Sequence, residues 1–258
     1  MTAAAKLDKR ELTILQISDT HVSADMDEPT QWGALRNWLS QHEVDAIVHS
    51  GDVVLEDPDN AEDRLAARAT LELLDRELLM IPGNHDVGFY DEPAEIDRRV
   101  TTFQNFWGHD RFRHDLGSWR LIGINAYLLG HGSAIGDEHQ RWFVEALETA
   151  KPIVVFVHQP PTGDVEDAWA MPTRSTEAFL AAVQGRPVAL VTSGHRHCHV
   201  IRRDGPFVAA WSPSLVFNGG YSAEWLIAQG EVDIDPSPGA LVIRLTADGH
   251  AEVEPLRF

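Results

Sequence analysis

An α/β fold with helices packed on a central sheet is the architecture this sequence predicts, on three observations. Short apolar runs rich in Val, Ile and Leu recur along the chain, segments with helical spacing lie between them, and Asp-Gly pairs punctuate alternating segments near the C-terminus. The 258 residues, 43% hydrophobic and 24% charged, suit a single globular domain over 1–258 with enough apolar side chains for a core.

In chain order, strands are expected at 12–18 (LTILQIS), 45–50 (DAIVHS), 78–81 (LLMI), 119–127 (WRLIGINAY), 152–157 (PIVVFV) and 187–193 (PVALVTS). Each is a near-continuous apolar run, as in a strand covered on one or both faces. Helices are expected between them. Trp32, Leu35, Trp38 and Leu39 share one helical face. The stretch 57–78 opens with Pro58 close to its first turn and acids at its start, and 136–150 begins with acids and sets Trp142, Phe143, Ala146 and Leu147 at helical spacing. After His199 the texture changes. Residues 199–211 and 240–258 each place Asp-Gly between alternating segments, a hairpin signal, so 200–258 reads as a β-rich antiparallel part following a core over about 12–200. Residues 231–239 (EVDIDPSPG) read as an exposed loop.

Composition narrows the function classes. A single cysteine, Cys198, excludes an intramolecular disulfide and a cysteine-only zinc site, and it fits a reducing compartment. No run approaches the roughly 18 apolar residues of a membrane span. The N-terminus lacks the basic-then-apolar order of a secretory signal, so a cytoplasmic location is expected. Forty acidic against 21 basic residues give a formal charge of -19, a field that repels long nucleic acid and anionic membrane. A small anionic substrate fits only if bound cations reverse that field at the site.

The expected strands end, one after another, in residues that bind metal. LTILQIS runs into Asp19-Thr20-His21, DAIVHS into Gly51-Asp52, LLMI into Asn84-His85-Asp86 after Pro82-Gly83, PIVVFV into His158, and PVALVTS into Gly194-His195-Arg196-His197. The carboxyl edge of an open α/β sheet is where ligands collect. Each piece alone is ordinary turn or core chemistry; five at one edge, without a cation, would crowd polar groups that need partners. Asp19, His21, Asp52, Asn84, His158, His195 and His197 make seven donors, too many for one tetrahedral ion and enough for two sharing a carboxylate, with Asp52 the natural bridge. A strand advances about 3.3 Å per residue, so His195 and His197 on one strand face could each serve one ion. Nitrogen and oxygen donors without thiolate suit Mn, Fe, Zn or Co, as two divalent or mixed-valence ions. His199 shares this phase and reads as structural, and the aromatics of 103–112 (FQNFWGHDRF) read as core.

The ordered series DTH, GD, GNHD, H and GHRH resembles the calcineurin-like metallophosphoesterases over residues 12 to about 200. Within that family, the chain's size, the HQPP around His158 and the short GHRH ending resemble the class III cyclic nucleotide phosphodiesterases. The resemblance implies a four-layer α/β/β/α sandwich and a dinuclear centre that activates water for attack on phosphorus. It also implies that Asp19, His21, Asp52 and His197 hold one ion, that Asp52, Asn84, His158 and His195 hold the other, and that His85 meets the phosphate or leaving group without binding metal. Asp86 is then expected to hold the His85 imidazole in one tautomer or as a cation. The function implied is hydrolysis of small phosphodiesters, cyclic nucleotides among the candidates, with a phosphomonoesterase or nucleotide pyrophosphatase as the alternative. Protein Ser/Thr phosphatases carry Asp-Arg-Gly after GD, whereas GDVVLEDPDN has no arginine, which weighs against phosphoprotein substrates. The expected partner is a small phosphoester such as a nucleotide, not long nucleic acid or membrane; a homo-oligomer stays open.

Overall fold

A computed structural model of the chain describes residues 10–88, 93–161, 170–203, 207–228, 230 and 233–258. Its strands are β1 (Leu12–Ile17), β2 (Ala46–His49), β3 (Leu78–Met80), β4 (Phe112–Leu116), β5 (Trp119–Gly123), β6 (Ile153–Phe156), β7 (Val188–Ser193), β8 (Val200–Arg202), β9 (Val208–Trp211), β10 (Gly239–Leu245) and β11 (Ala251–Arg257). The helices are α1 (Thr30–Gln41), α2 (Ala61–Glu72), the single turn α3 (Asn84–Val87), α4 (Pro93–Trp107), α5 (Ala134–Ala146), α6 (Thr173–Val183) and α7 (Gly220–Ala228).

There are two sheets rather than one. The first has the order β11-β10-β1-β2-β3 and the second β4-β5-β6-β7-β9-β8. In the first, β1, β2 and β3 run parallel, and β10 lies antiparallel to β1 and to β11. In the second, β5, β6, β7 and β9 are parallel and flanked by antiparallel β4 and β8. The segment after residue 200 therefore completes both sheets instead of standing apart.

Strand periodicity divides the core. Along β1, Leu12 and Ile14 join a cluster with Leu121, Val154, Phe156 and Leu190 of the second sheet, whereas Leu15 and Ile17 join Trp32, Leu35 and Ala67 of α1 and α2. Along β6, Val154 and Phe156 face the first sheet, while Ile153 and Val155 pack on Phe143 of α5 and Phe179 of α6. Successive side chains point to opposite faces, so a strand apolar at every position is covered on both sides. One face of each of these two strands thus packs on helices and the other on the opposite sheet.

Several boundaries differ from the sequence-based expectations for local reasons. Asn60 caps α2 by accepting from Glu62 N at 2.9 Å and Asp63 N at 3.2 Å, which leaves Pro58 outside the helix. Ser133 caps α5 through Gly136 N, so that helix begins at Ala134. The strand expected over 119–127 stops at Gly123, because the Asn125 side chain accepts from Tyr127 N and turns Ala126–Leu128 into a 3₁₀ turn. Helices α4, α6 and α7 were not among the expected elements. Of the aromatics of 103–112, two are core as expected: Phe103 packs with Ile96, Val100, Tyr127 and Leu128, and Phe112 sits between the sheets; Trp107 is half-buried against the core, and Phe106 is half-buried beneath the Arg68 guanidinium. Both hairpins form, β8 with β9 and β10 with β11, although Asp204 and Gly205 lie outside the described residues. Glu231 and Val232 of the expected loop also lie outside them. The rest of that loop is not free, since Asp235 exchanges two backbone hydrogen bonds with His199. Among the described residues, no helix is long and apolar enough to cross a membrane.

Candidate metal centre

The seven expected donors follow the carboxyl ends of five parallel strands: Asp19 and His21 after β1, Asp52 after β2, Asn84 after β3, His158 after β6, and His195 and His197 after β7. The turns that carry them are strained. Among the described residues, seven non-glycine residues have positive φ, and five of these are Asp19 (52°), His21 (44°), Asp52 (54°), His195 (67°) and His197 (54°). This region is disfavoured for residues with a Cβ, and such outliers persist where surrounding structure enforces them. Strand pleat therefore does not bring His195 and His197 together, as the spacing suggested. Strand β7 ends at Ser193, and two left-handed kinks turn both rings toward the site. The glycine of the GD motif is dictated by close approach. Gly51 has φ 103°, and a Cβ there would lie 2.6 Å from Gly83 N and 2.7 Å from His158 Nδ1.

The donors meet across the sheets. His197 Nε2 lies 3.2 Å from Asp19 Oδ1 and 3.1 Å from His21 Nε2. His158 Nε2 lies 3.2 Å from Asp52 Oδ2 and 3.1 Å from Asn84 Oδ1. His21 Nε2 is 3.9 Å from both Asp19 and Asp52. Two triads, Asp19/His21/His197 and Asp52/His158/His195, each hold their ligand atoms within 4.8 Å of one another. A carbonyl fixes the tautomer of two rings: His158 Nδ1 donates to Ser50 O at 2.9 Å and His21 Nδ1 to Leu55 O at 3.3 Å, which aims Nε2 of each at the shared space.

Electrostatics follow from burial and pairing. Burial alone would push the Asp19 and Asp52 carboxyls up, but the His197 imidazole beside the first and the His158 imidazole beside the second hold both below the usual carboxylate range. Burial likewise depresses His158, and Asp52 overrides it to lift that ring to about 9. His21, which burial dominates, falls to about 4. Convergent ring nitrogens and carboxylate oxygens of this kind need protons or cations between them, and the nitrogen-oxygen donor set suits a divalent metal. The Asn84 Nδ2 atom is buried without a hydrogen-bond partner among the described residues, as expected if the other end of that amide is committed to a ligand role.

His85 and Asp86 behave differently from each other. The His85 side chain is 25% exposed, its Nε2 lies 3.8 Å from Asp52 Oδ2, and its ring meets that of His21 edge-on at 4.8 Å. With His21 and Asp52 it forms a third donor triad. The Asp86 carboxylate accepts from Gly83 N at 2.8 Å, Val53 N at 3.1 Å and Val54 N at 3.3 Å. Those contacts clamp the Asp52 turn to the Asn84 turn rather than steering the His85 ring, because the carboxylate faces the backbone beneath the site. Burial first, and the nearby Asp52 charge second, push Asp86 up to about 7.

Other residues bear on the site without any motif signal. Buried His49 accepts from Gly51 N at 3.2 Å and contacts Thr20 Oγ1 at 2.9 Å, bracing the first two motif turns against each other. Ser214, 195 positions from Asp19 in the chain, donates to its carbonyl at 2.7 Å. Phe217 stacks on His197 with ring centroids 6.2 Å apart. Only spatial proximity marks these residues. His199 is structural as expected, its Nδ1 donating to Trp211 O at 3.3 Å.

Comparisons with known proteins agree with this geometry. The calcineurin-like phosphoesterase family matches residues 12–199. A glycerophosphodiester phosphodiesterase GpdQ from Enterobacter lignolyticus is 30% identical over 190 residues, covering 70% of this chain and 66% of that protein. The serine/threonine-protein phosphatase CPPED1 of Bos taurus is 29% identical over 132 residues, 46% of this chain and 41% of that protein, so the alignments span between two fifths and two thirds of these relatives. Among solved structures, a dimetal phosphatase from Danio rerio superposes with a TM-score of 0.65 over 95% of this chain and 96% of its own, at 12% identity, a likeness of fold. With the family match spanning β1 to β7 and every turn that carries a donor, the chain belongs to the calcineurin-like phosphoesterase family.

Proposed function

We propose that this protein hydrolyses small phosphodiesters, with cyclic nucleotides among the candidate substrates. The observation that carries the reading is the pairing of Asp19 with His197 and of Asp52 with His158, each at 3.2 Å, around one shared space. Asp19, His21, Asp52 and His197 would hold one cation, and Asp52, Asn84, His158 and His195 the other. Two divalent ions, when bound, would supply positive charge for the phosphoryl oxygens and an activated water for attack at phosphorus. They would also reverse the field of a chain whose formal charge is -19. The metal pair follows from supply as much as from the donors, and Mn, Fe, Zn and Co all suit them.

The chain's own groups do the rest. His85 stands at the exposed side of Asp52, where it would donate a proton to the leaving oxygen or stabilise phosphoryl charge. Asp86 acts as a positioning residue through the backbone of the Asp52 turn. The Ser50 and Leu55 carbonyls hold two ligand rings in the tautomer that a cation requires. Cys198, buried and outside any disulfide, accords with a reducing cytoplasmic setting.

The 30% identity to a glycerophosphodiester phosphodiesterase over 70% of the chain favours diesters. The shorter match to a protein phosphatase keeps phosphomonoesters as the second reading. Metal-free protein reconstituted with Mn and assayed on diesters, cyclic nucleotides, monoesters and pyrophosphate-linked nucleotides tests the choice. Diester hydrolysis should exceed monoester hydrolysis at matched leaving group. A clear preference for monoesters would transfer the assignment to the second reading.

A further inference from the structure

We propose that the cavity beside His21 is the subsite for one alcohol arm of the diester, and that it selects a short arm that is uncharged or cationic; this rests on the phosphodiesterase reading above. The cavity has a volume of about 150 Å³ and is bordered by His21, Met26, Trp32, Val216 and Phe217. It adjoins the candidate metal centre through Phe217. That ring lies 5.3 Å from the His21 ring and 6.2 Å from the His197 ring, nearly parallel to the latter at 16°. Both imidazoles belong to the donor triad with Asp19. A phosphoryl group held there has Phe217 as its neighbour.

The wall is built rather than incidental. Ser214 Oγ accepts from Phe217 N at 2.9 Å and Val216 N at 3.2 Å and donates to Asp19 O at 2.7 Å, so the segment that carries Phe217 is tied to a metal-ligand turn. Trp32 is 1% exposed and anchored in the core, which makes a rigid floor, while Met26 at 46% exposure is an adaptable lip. A preformed, largely apolar concavity with a few polar groups is what a small organic group occupies. A space near 150 Å³ accepts a group the size of benzene, which limits the arm to about six or seven non-hydrogen atoms.

Charge sets the second limit. Asp27 and Glu28 stand among the lining residues, and no lysine or arginine does among the described residues. Glu28 is engaged by Arg36 at 2.6 Å, whereas Asp27 makes no ion pair among the described residues. An anionic arm would meet the Asp27 carboxylate without a lysine or arginine beside it among the described lining residues, whereas a neutral arm or an ammonium group would not be repelled by it.

Calorimetric titration of the Mn-loaded protein with methyl benzylphosphonate and its 4-carboxybenzyl counterpart tests the proposal, and the 4-carbamoylbenzyl compound, neutral but the same size as the carboxylated one, separates charge from size. The benzyl compound should bind at least about tenfold more tightly than the carboxylated one. Asp27→Asn should narrow that gap by strengthening the carboxylated compound. Val216→Trp, and independently Ala66→Phe at another lining position, should weaken the benzyl compound about tenfold or more. Methyl methylphosphonate, which lacks a large arm, should still bind to at least one of the two filled variants. Equal affinity for the benzyl and carboxybenzyl compounds in the wild type, or filled variants that bind the benzyl compound as before, would overturn the subsite. Hydrolysis of methyl 4-nitrophenyl phosphate, whose methyl arm fits the subsite, by the same preparation reports on the phosphodiesterase reading separately. Turnover without discrimination sinks the subsite alone, and discrimination without turnover sinks the activity alone.

Discussion

The two sheets contribute unlike chemistry to their common edge. The five-stranded sheet supplies Asp19, His21, Asp52 and Asn84, including both carboxylates, and the six-stranded sheet supplies only imidazoles, His158, His195 and His197. Each acid then finds its partner on the opposite sheet, Asp19 with His197 and Asp52 with His158. Neither sheet alone presents all seven candidate donors. The centre depends on docking of the inner faces, where Ile14, Val48 and Ile243 of one sheet meet Leu121, Phe156 and Leu190 of the other. Apolar burial, the large non-directional contribution to folding, thus holds strained polar turns in register.

The largest break in this arrangement should come from Asp52→Ala. Asp52 Oδ2 lies 3.2 Å from His158 Nε2 and 3.9 Å from His21 Nε2, one ring of each candidate ion's set, so its loss should cost more than about 10⁴-fold in activity and lower the metal stoichiometry from two. Asn84→Ala, which removes one neutral donor near His158, should cost less. Elemental analysis beside activity checks the ranking. Equal residual activity with both ions retained in Asp52→Ala would remove it from its bridging position.

His85→Ala should lower kcat by about 10²- to 10⁴-fold on an unactivated diester with little change in KM, the scale of a lost general acid. A nitrophenyl ester, whose leaving group hardly needs a proton, should show a smaller loss. Both ions should stay bound. Loss of an ion instead would make the third triad, His21/Asp52/His85, a real ligand set.

Docking itself can be weakened. Phe156 is fully buried between the sheets with its ring 6.0 Å from that of Phe112, and Phe156→Ala should cost about 3–5 kcal/mol in chemical denaturation. Phe143, stacked on Phe179 at 5.8 Å on the outer face, should cost a similar amount when truncated. Only Phe156→Ala should also weaken Mn binding in titrations of the folded protein. Parallel losses of metal affinity in both variants would mean that the interface between sheets has no special hold on the centre.

The smallest effect belongs to the six-stranded half alone. His139 of α5 is buried, its Nδ1 accepts from Arg111 Nη1 at 3.2 Å, Asp110 lies 3.7 Å away and Glu138 adjoins it; burial lowers its pKa to about 4. The folded state keeps this ring neutral while the unfolded chain protonates it below about 6.5, so stability should fall as pH drops from about 6.5 to about 4, by roughly 3 kcal/mol at most. The difference between the wild type and His139→Gln in this drop, measured by denaturation at pH 7 and pH 5, should be the same with and without Mn. A difference that vanishes when Mn is present would place its source at the metal centre.

Much of this was legible in the chain. The runs before Asp19, Asp52, Asn84, His158 and His195 are strands, since apolar residues on both faces suit little else at that length. Helix α4 was not legible although Ile96, Val100 and Phe103 have helical spacing, because Phe103 and the aromatics after it read equally well as unplaced core. The second sheet was not legible from the residues, because alternate positions of one strand look alike whether they meet a helix or another sheet.

By itself the sequence determines local things: where an apolar run forces a strand, which donor type stands at its end, and where only glycine tolerates the approach of another turn, as at Gly51. The tertiary structure alone decides which donors meet. His21 and His197, 176 positions apart, come within 3.1 Å, Ser214 reaches the Asp19 carbonyl, and Phe217 covers both rings. The physical reason is range. Backbone sterics and side-chain periodicity act over a few residues, whereas these distances are set by two sheets closing on a shared apolar interface.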